Sequence, residues 1–332
     1  MSVLDDLKDR AAARPAHVVM SEGTDPRIVA GAVAAVKRGI ARITLVGPRD
    51  DVAAALVAAG MADTLTIAIE DPAESSLTPA FAKAYFELRR HKGITAEVAE
   101  TQVHDPLVFA AMMVRLGHAD GTVGGAVHTS SDTVRAALQV IGKAKTAPLV
   151  SSFFLMALPD NHPSGRDAMI FSDSGLVIDP TSEELAAIAV ASANSCRQLL
   201  ETEARVALLS FSTKGSAHHE MVRKVTDAVA ILKANHPDIK ADGELQFDAA
   251  FVPEVGAAKA KGSEIAGTAN VMIFPNLDAG NIGYKIAQRI GGCDAIGPIL
   301  QGLAQPANDL SRGCTAEDVA NMIAVTVLQA IS

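Results

Sequence analysis

Short apolar runs recur along the chain, each bounded by Gly, Pro, Asp or Asn, with longer stretches of helical spacing between them. AHVVMSEG (16–23) reads as a short buried strand. Pro26 then opens a helix to about Arg38, because a first turn tolerates proline's missing N–H. RITLVG (42–47) is a second strand, closed by Gly47-Pro48. A helical stretch follows over about 50–59, and TLTIAIED (64–71) is a third strand. Helical patterns cover about 78–91 and 105–116. GTVGGAVHTSSDTVRAALQV (121–140) reads as strand, Gly-rich turn and helix.

The second half repeats the alternation. Its strands are PLVSSFFLMAL (148–158), AMIFSD (168–173), RVALLSFST (205–213) and NVMIFP (270–275); its helices cover about 181–200, 216–235, 278–290 and 315–331. Thr181 and Glu184, after Asp179-Pro180, have the spacing of a capping box. Strands alternating with helices predict an α/β fold with mostly parallel sheets flanked by helices. At 332 residues the chain is too long for one simple core and suits two such domains. GKAKTAPL (142–149) is a plausible junction and GCDAIGP (292–298) a plausible return. They give a first domain of 1–145 plus 298–332 and a second of 146–297.

Composition narrows the function. Hydrophobic residues make up 49% and charged residues 20%, which suits a well-cored globular protein, and Trp is absent. A net charge of −9 repels polyanions and argues against nucleic acid as a partner. Small phosphorylated substrates stay open, provided local Arg or backbone N–H groups hold them. Cys196, Cys293 and Cys314 are odd in number and form no CxxC, which argues against disulfides and zinc and suits a reducing cytoplasm. No run approaches ~18 apolar residues, so no membrane segment is expected.

Four segments could carry chemistry. Near the end, Asn308, Asp309, Ser311 and Arg312 crowd a short stretch before a helix, and Gly313 frees the backbone. Thr315 reads as an N-cap with Asp318 at the third helical position. Backbone N–H groups and Arg312 therefore converge at a helix start, a natural anion site. Asp318 either caps this helix or acts on substrate; spacing favours the cap. In the second segment, Gly124 and Gly125 permit close backbone approach. Ser130, Ser131 and Asp132 sit at a helix start, with Arg135 one turn beyond Ser131. This is neither a Walker loop nor GxGxxG. Arg89, Arg90, His91 and Lys92 form a basic cluster at a helix end, suited to the helix dipole or to clamping an anion. Asn276, Asp278 and Asn281 surround another helix start, followed by Tyr284 and Lys285; a cap explains the pattern best. His218 and His219, read as helical neighbours, would point about 100° apart, and no metal site is expected.

Taken together, RRHKG, HTSSDTVRAAL, FSDSG, LSFSTKGSA, DGELQFDAA, ANVMIFPNLDAGNIGYKIAQR and GPILQG with ANDLSRG make the chain resemble the phosphate acetyltransferase (phosphotransacetylase) family in its short, single-module form. The resemblance covers almost the whole chain. It implies two α/β domains of the isocitrate/isopropylmalate dehydrogenase type, an interdomain active site, a first domain completed by the C-terminal helix, and a homodimer. It further implies reversible acetyl transfer between coenzyme A (CoA) and phosphate, with CoA a substrate and no tightly bound cofactor. Ser311, Arg312 and Asp318 match the family's catalytic positions, and Arg89 and Arg135 match two arginines that bind its anionic substrate; Ser131, one turn before Arg135, can face the same ligand. Thr129, Ser130, Asn281 and Tyr284 are the candidates for CoA contact. A butyryl-specific relative and a non-catalytic acyl-CoA-sensing module remain alternatives. A nicotinamide dehydrogenase rests on fold analogy alone.

Overall fold

A computed structural model describes residues 2–61 and 66–331. The chain forms two compact units, one of Val3–Ala144 with Leu303–Ser332 and one of Lys145–Gly302.

The first unit begins with α1 (Val3–Ala13), β1 (Ala16–Met20), α2 (Pro26–Lys37), β2 (Ala41–Val46), α3 (Arg49–Ala58) and β3 (Ala68–Glu70). It continues with α4 (Thr78–Arg89), α5 (Ala96–Gln102), α6 (Pro106–Arg115), β4 (Gly121–Gly124) and α7 (Ser130–Val140). The Thr64 and Leu65 of the expected third strand lie outside the described residues. The sheet order is β11-β4-β1-β2-β3, with every pairing parallel; β11 (Ala307–Asp309) comes from the C-terminal segment. Strands β1 and β2 are buried on both faces along most of their length, which is why they read as apolar runs. Asp25-Pro26 and Asp105-Pro106 start α2 and α6 alike, the aspartate accepting from two backbone N–H groups. The last helix, α13 (Ala316–Ala330), is buried from Val319 to Leu328 and packs on the sheet, α1 and α2. Gly31 permits the α2 approach, since a Cβ there would lie 2.5 Å from that of Val319.

The second unit contains β5 (Ser151–Ala157), β6 (Ala168–Ser172), α8 (Ser182–Leu200), β7 (Arg205–Leu209), α9 (Glu220–Asn235) and β8 (Lys240–Leu245). After them come α10 (Phe247–Phe251), α11 (Pro253–Lys259), β9 (Val271–Ile273), α12 (Leu277–Arg289) and β10 (Asp294–Gln301). Its sheet runs β10-β5-β6-β9-β7-β8; the pairs on either side of β5 are antiparallel and the others parallel. Pro298 sits where the register of edge strand β10 shifts, a position that needs no ladder N–H. The capping box of Thr181 and Glu184 is present.

Two readings need correction. The expected 216–235 helix starts at Glu220, and the His219 ring accepts from the Met221 N–H as its N-cap, so His218 and His219 are not helical neighbours. The expected 78–91 helix ends at Arg89 and tightens into a 3₁₀ turn over Arg90–Lys92 before Gly93 at φ 81°.

Candidate active site

In a parallel sheet the strands' C-terminal ends lie along one edge. Loops leaving neighbouring strands there face a common space, the usual ligand position of α/β folds. In the first unit Asp309 is level with Gly124 and Val123 with Met20, so the loops after β11, β4 and β1 start side by side.

Charged groups bind these loops together. Glu22, just beyond β1, accepts from the N–H groups of Ala126 (2.7 Å), Val127 (3.0 Å) and His128 (2.8 Å) in the Gly-rich turn. The His128 Nδ1 lies 2.7 Å from the same carboxylate. Arg27 grips Asp25 through Nε (3.0 Å) and Nη2 (2.9 Å), then donates to the Ala126 carbonyl (2.7 Å) and the Arg312 carbonyl (2.6 Å). One guanidinium thus reaches all three loops. Its hydrogen bond also holds the Asp25 carboxyl below the usual carboxylate range. Leu310 N bonds to Gly124 O at 2.7 Å, and Gly125, at φ 98°, has no room for a side chain.

Ser311 and Arg312 project from the exposed part of the last loop. Ser311 Oγ accepts from Gly313 N at 3.2 Å. The Arg312 guanidinium makes no ion pair among the described residues, so it is available to an anion. Asp318 completes a capping box: its Oδ2 accepts from Thr315 N (2.8 Å) and Oγ1 (2.9 Å), while Asp318 N bonds back to Thr315 Oγ1. Burial pushes the Cys314 thiol up, which holds it as an unreactive thiol beside this turn.

Across from it, Thr129 caps α7, taking the Asp132 N–H at 3.2 Å and donating to Asp132 Oδ2 at 2.7 Å. Ser130 and Ser131 are exposed at the helix start, and Arg135 pairs with Asp132 at 2.7 Å. That pair is exposed on both sides and worth little, so Arg135 can turn to a ligand at small expense. Arg89 is joined to this cluster by no hydrogen bond or ion pair among the described residues. Its Nε is buried without a partner and its side chain meets Tyr85.

Asn281 and Tyr284 belong to the second unit. Asn281 donates to the Ser174 carbonyl at 3.2 Å, and the Tyr284 ring stacks on Phe154 at 3.8 Å. Asn276 is the N-cap of α12, accepting from Ala279 N at 3.0 Å. All three therefore have local structural roles.

Sequence reasoning missed Glu22, Asp25, Arg27 and His128 as site residues. One signal was present: Arg27 falls in a helix's first turn, where the dipole disfavours a cation, so its presence needs a tertiary reason.

A profile described as phosphate acetyl/butaryl transferase matches residues 2–327. The chain is 48% identical over 329 residues to the phosphate acetyltransferase of Paracoccus denitrificans, covering 99% of each chain. It is 43% identical over 326 residues to the phosphate acetyltransferase of Bacillus subtilis, covering 98% of each. The crystal structure of a phosphotransacetylase from Streptococcus pyogenes superposes with a TM-score of 0.92 at 42% identity, covering 99% of this chain and 98% of that one. With a matching profile and relatives of this similarity over nearly its whole length, the chain belongs to the phosphate acetyl/butaryl transferase family.

Proposed function

We propose that the chain reversibly transfers an acetyl group between CoA and phosphate. Family membership supports the reaction. The observation that carries the site is the convergence of three loops at one sheet edge, tied by Arg27, with the exposed Arg312 guanidinium in no ion pair among the described residues. The CoA thiolate attacks the acetyl carbonyl carbon of acetyl phosphate; the C–S bond forms as the C–O bond to phosphate breaks, and phosphate leaves. The thiol proton passes to Asp318. Arg312 stabilises charge on the carbonyl oxygen or the departing phosphate, and Arg135 and Arg89 hold the phosphate, whose oxygens suit a guanidinium fork. Ser311 donates a hydrogen bond to the developing negative charge, a contribution of about 10²–10³ in rate where such donors have been removed. Both substrates are held together, with no covalent enzyme intermediate. Thr129, Ser130, Asn281 and Tyr284 are proposed CoA contacts.

The fold boundaries 1–145 plus 298–332 and 146–297 are kept as the proposed domains. A homodimer is supported by the family resemblance and by Ile282 and Ile286 on α12 with Ile290 just past its end, an exposed apolar stripe; light scattering on the intact protein would test it. Three unpaired cysteines support a reducing compartment.

The test is CoA release from acetyl-CoA and phosphate, followed by a thiol reagent. Arg312→Ala should remove turnover while leaving the melting temperature unchanged. A wild-type chain that releases no CoA makes it a non-catalytic binder; a fully active Arg312→Ala variant removes the site. Because the family includes butyryl enzymes, rates with acetyl and butyryl phosphate decide the acyl preference, each methylene being worth about 1–3 kcal/mol.

A further inference from the structure

Asp309 has no part in the chemistry above, and packing alone does not explain its surroundings. It closes β11 two residues before Ser311. It is 0% exposed, and among the described residues neither carboxylate oxygen makes a hydrogen bond. A buried carboxylate without a donor is unfavourable and uncommon. The group is wedged in place: a Cβ on Gly125 would lie 2.1 Å from its Oδ1. The Ser130 and Thr133 hydroxyls on the first turn of α7 face it. One carboxyl group therefore meets the Gly-rich turn, the start of α7 and the root of the Ser311–Arg312 turn.

Burial, with a smaller push from the neighbouring Glu22 carboxylate, outweighs the Ser130 and Thr133 hydroxyls and the Leu310 N–H and raises this carboxyl to about 7. Most other charged groups on the surrounding elements are engaged elsewhere, and Arg312, three residues on, is exposed to solvent. His128 pairs with Glu22, Arg27 with Asp25, Arg135 with Asp132, and Asp318 bonds to Thr315. Among the groups that act most on Asp309 there is no cation to offset its ionised form.

We propose that Asp309 is a positioning residue which, as a neutral carboxylic acid, hydrogen-bonds to the start of α7 and holds the 124–131 loop against the Ser311–Arg312 turn. Losing its proton to solvent takes away the hydrogen bond that the acid donates, leaves the Ser130 and Thr133 hydroxyls to serve the carboxylate, and places a second carboxylate beside Glu22, under loops that must receive phosphate. Phosphate affinity then falls. The inference rests on the acetyl-transfer reading.

The test compares the intact protein with Asp309→Asn, which mimics the neutral acid, and Asp309→Ala, measuring kcat and KM for phosphate from pH 6.5 to 8.5. The titration of phosphate itself is common to all three proteins and cancels in the comparison. In the wild type, KM at pH 8.5 relative to pH 6.5 should exceed that of Asp309→Asn by about tenfold or more, as an acid titrating near 7 requires. Asp309→Ala should raise KM at both pH values. The stability sign is also fixed. A folded-state value above the ordinary 3.8 penalises the folded wild type as pH rises from there, levelling off past about 7. Asp309→Asn should therefore gain in melting temperature relative to the wild type over that window. An Asn variant with the wild-type ratio of KM values overturns the proposal while leaving the reaction intact. So does an Asn variant as impaired as Ala. A wild type inactive at every pH overturns the acetyl-transfer reading and this inference with it.

Discussion

Arg27 is where the connection between structure and turnover can be tested most directly. Replacing it with Ala removes the two-point pair with Asp25 and the hydrogen bonds to the Ala126 and Arg312 carbonyls. The Asp25 pair is partly exposed, at 33% for the Arg27 side chain, so its loss is discounted to about 1 kcal/mol or less. Each charged donor to a carbonyl is ordinarily worth about 1.5–3 kcal/mol, and the lower end applies because water can reach these turns. Helix α2 keeps its start, since Asp25 still accepts from the Arg27 and Ile28 N–H groups. The sum is about 3–4 kcal/mol, which for a unit of this size lowers the melting temperature by about 6–16 °C.

The effect on rate should be larger than that on stability. Arg27 anchors the backbone of Arg312 itself, and a catalytic group displaced by about 1 Å loses about 10² in rate. Arg27→Ala should therefore lose about a hundredfold in kcat/KM, measured by CoA release well below its melting transition. Arg27→Lys should fall between, because an ammonium supplies the charge but not the fork that serves two carbonyls and a carboxylate together. A folded Arg27→Ala variant within about threefold of the wild-type rate would refute the reasoning.

Two further substitutions separate geometry from chemistry. Gly125→Ala places a Cβ at φ 98°, 2.1 Å from Asp309 Oδ1 and 2.8 Å from the Leu310 carbonyl; calorimetry should show more than about 2 kcal/mol of destabilisation. Asp318→Asn keeps an oxygen to accept the Thr315 N–H, so a pure cap would lose about 1 kcal/mol of stability and little rate. A base would lose about 10²–10⁴ in single-turnover rate, and a loss under about tenfold would confine Asp318 to the helix.

The elements legible in the sequence share one property: their determinants are local. Strands β1, β2, β5, β6 and β7 are apolar because both faces are buried, and α2, α8 and α13 carry their caps within four residues. Strands β8 and β11 are missed because their determinants are distant, whereas the short helices α5, α10 and α11 are missed despite local signals such as the Thr95 cap of α5. Strand β8 reads Lys-Ala-Asp-Gly-Glu-Leu, which looks like a loop, yet Asp242 is paired by Lys214, and Glu244 accepts from Ser212 and Gly215. Strand β11 is three residues long, and its Asn308 is satisfied by Thr326 on α13.

The site divides along the same line. Thr315 and Asp318 are three residues apart, so their capping geometry could be read directly. The contacts that set the site are not of this kind: Glu22 reaches His128 across 106 positions and Arg27 reaches Arg312 across 285. Periodicity carries no information at that range. What the sequence does retain is a local cost without a local reason. A cation in the first turn of α2 opposes the dipole, and an aspartate ends a strand that is buried along its length. Both conflicts resolve in the fold by placing the residue where three loops meet. In a chain of this architecture, such local conflicts at the C-terminal ends of parallel strands are therefore better pointers to positioning residues than the polar residues that already have a cap or turn to explain them.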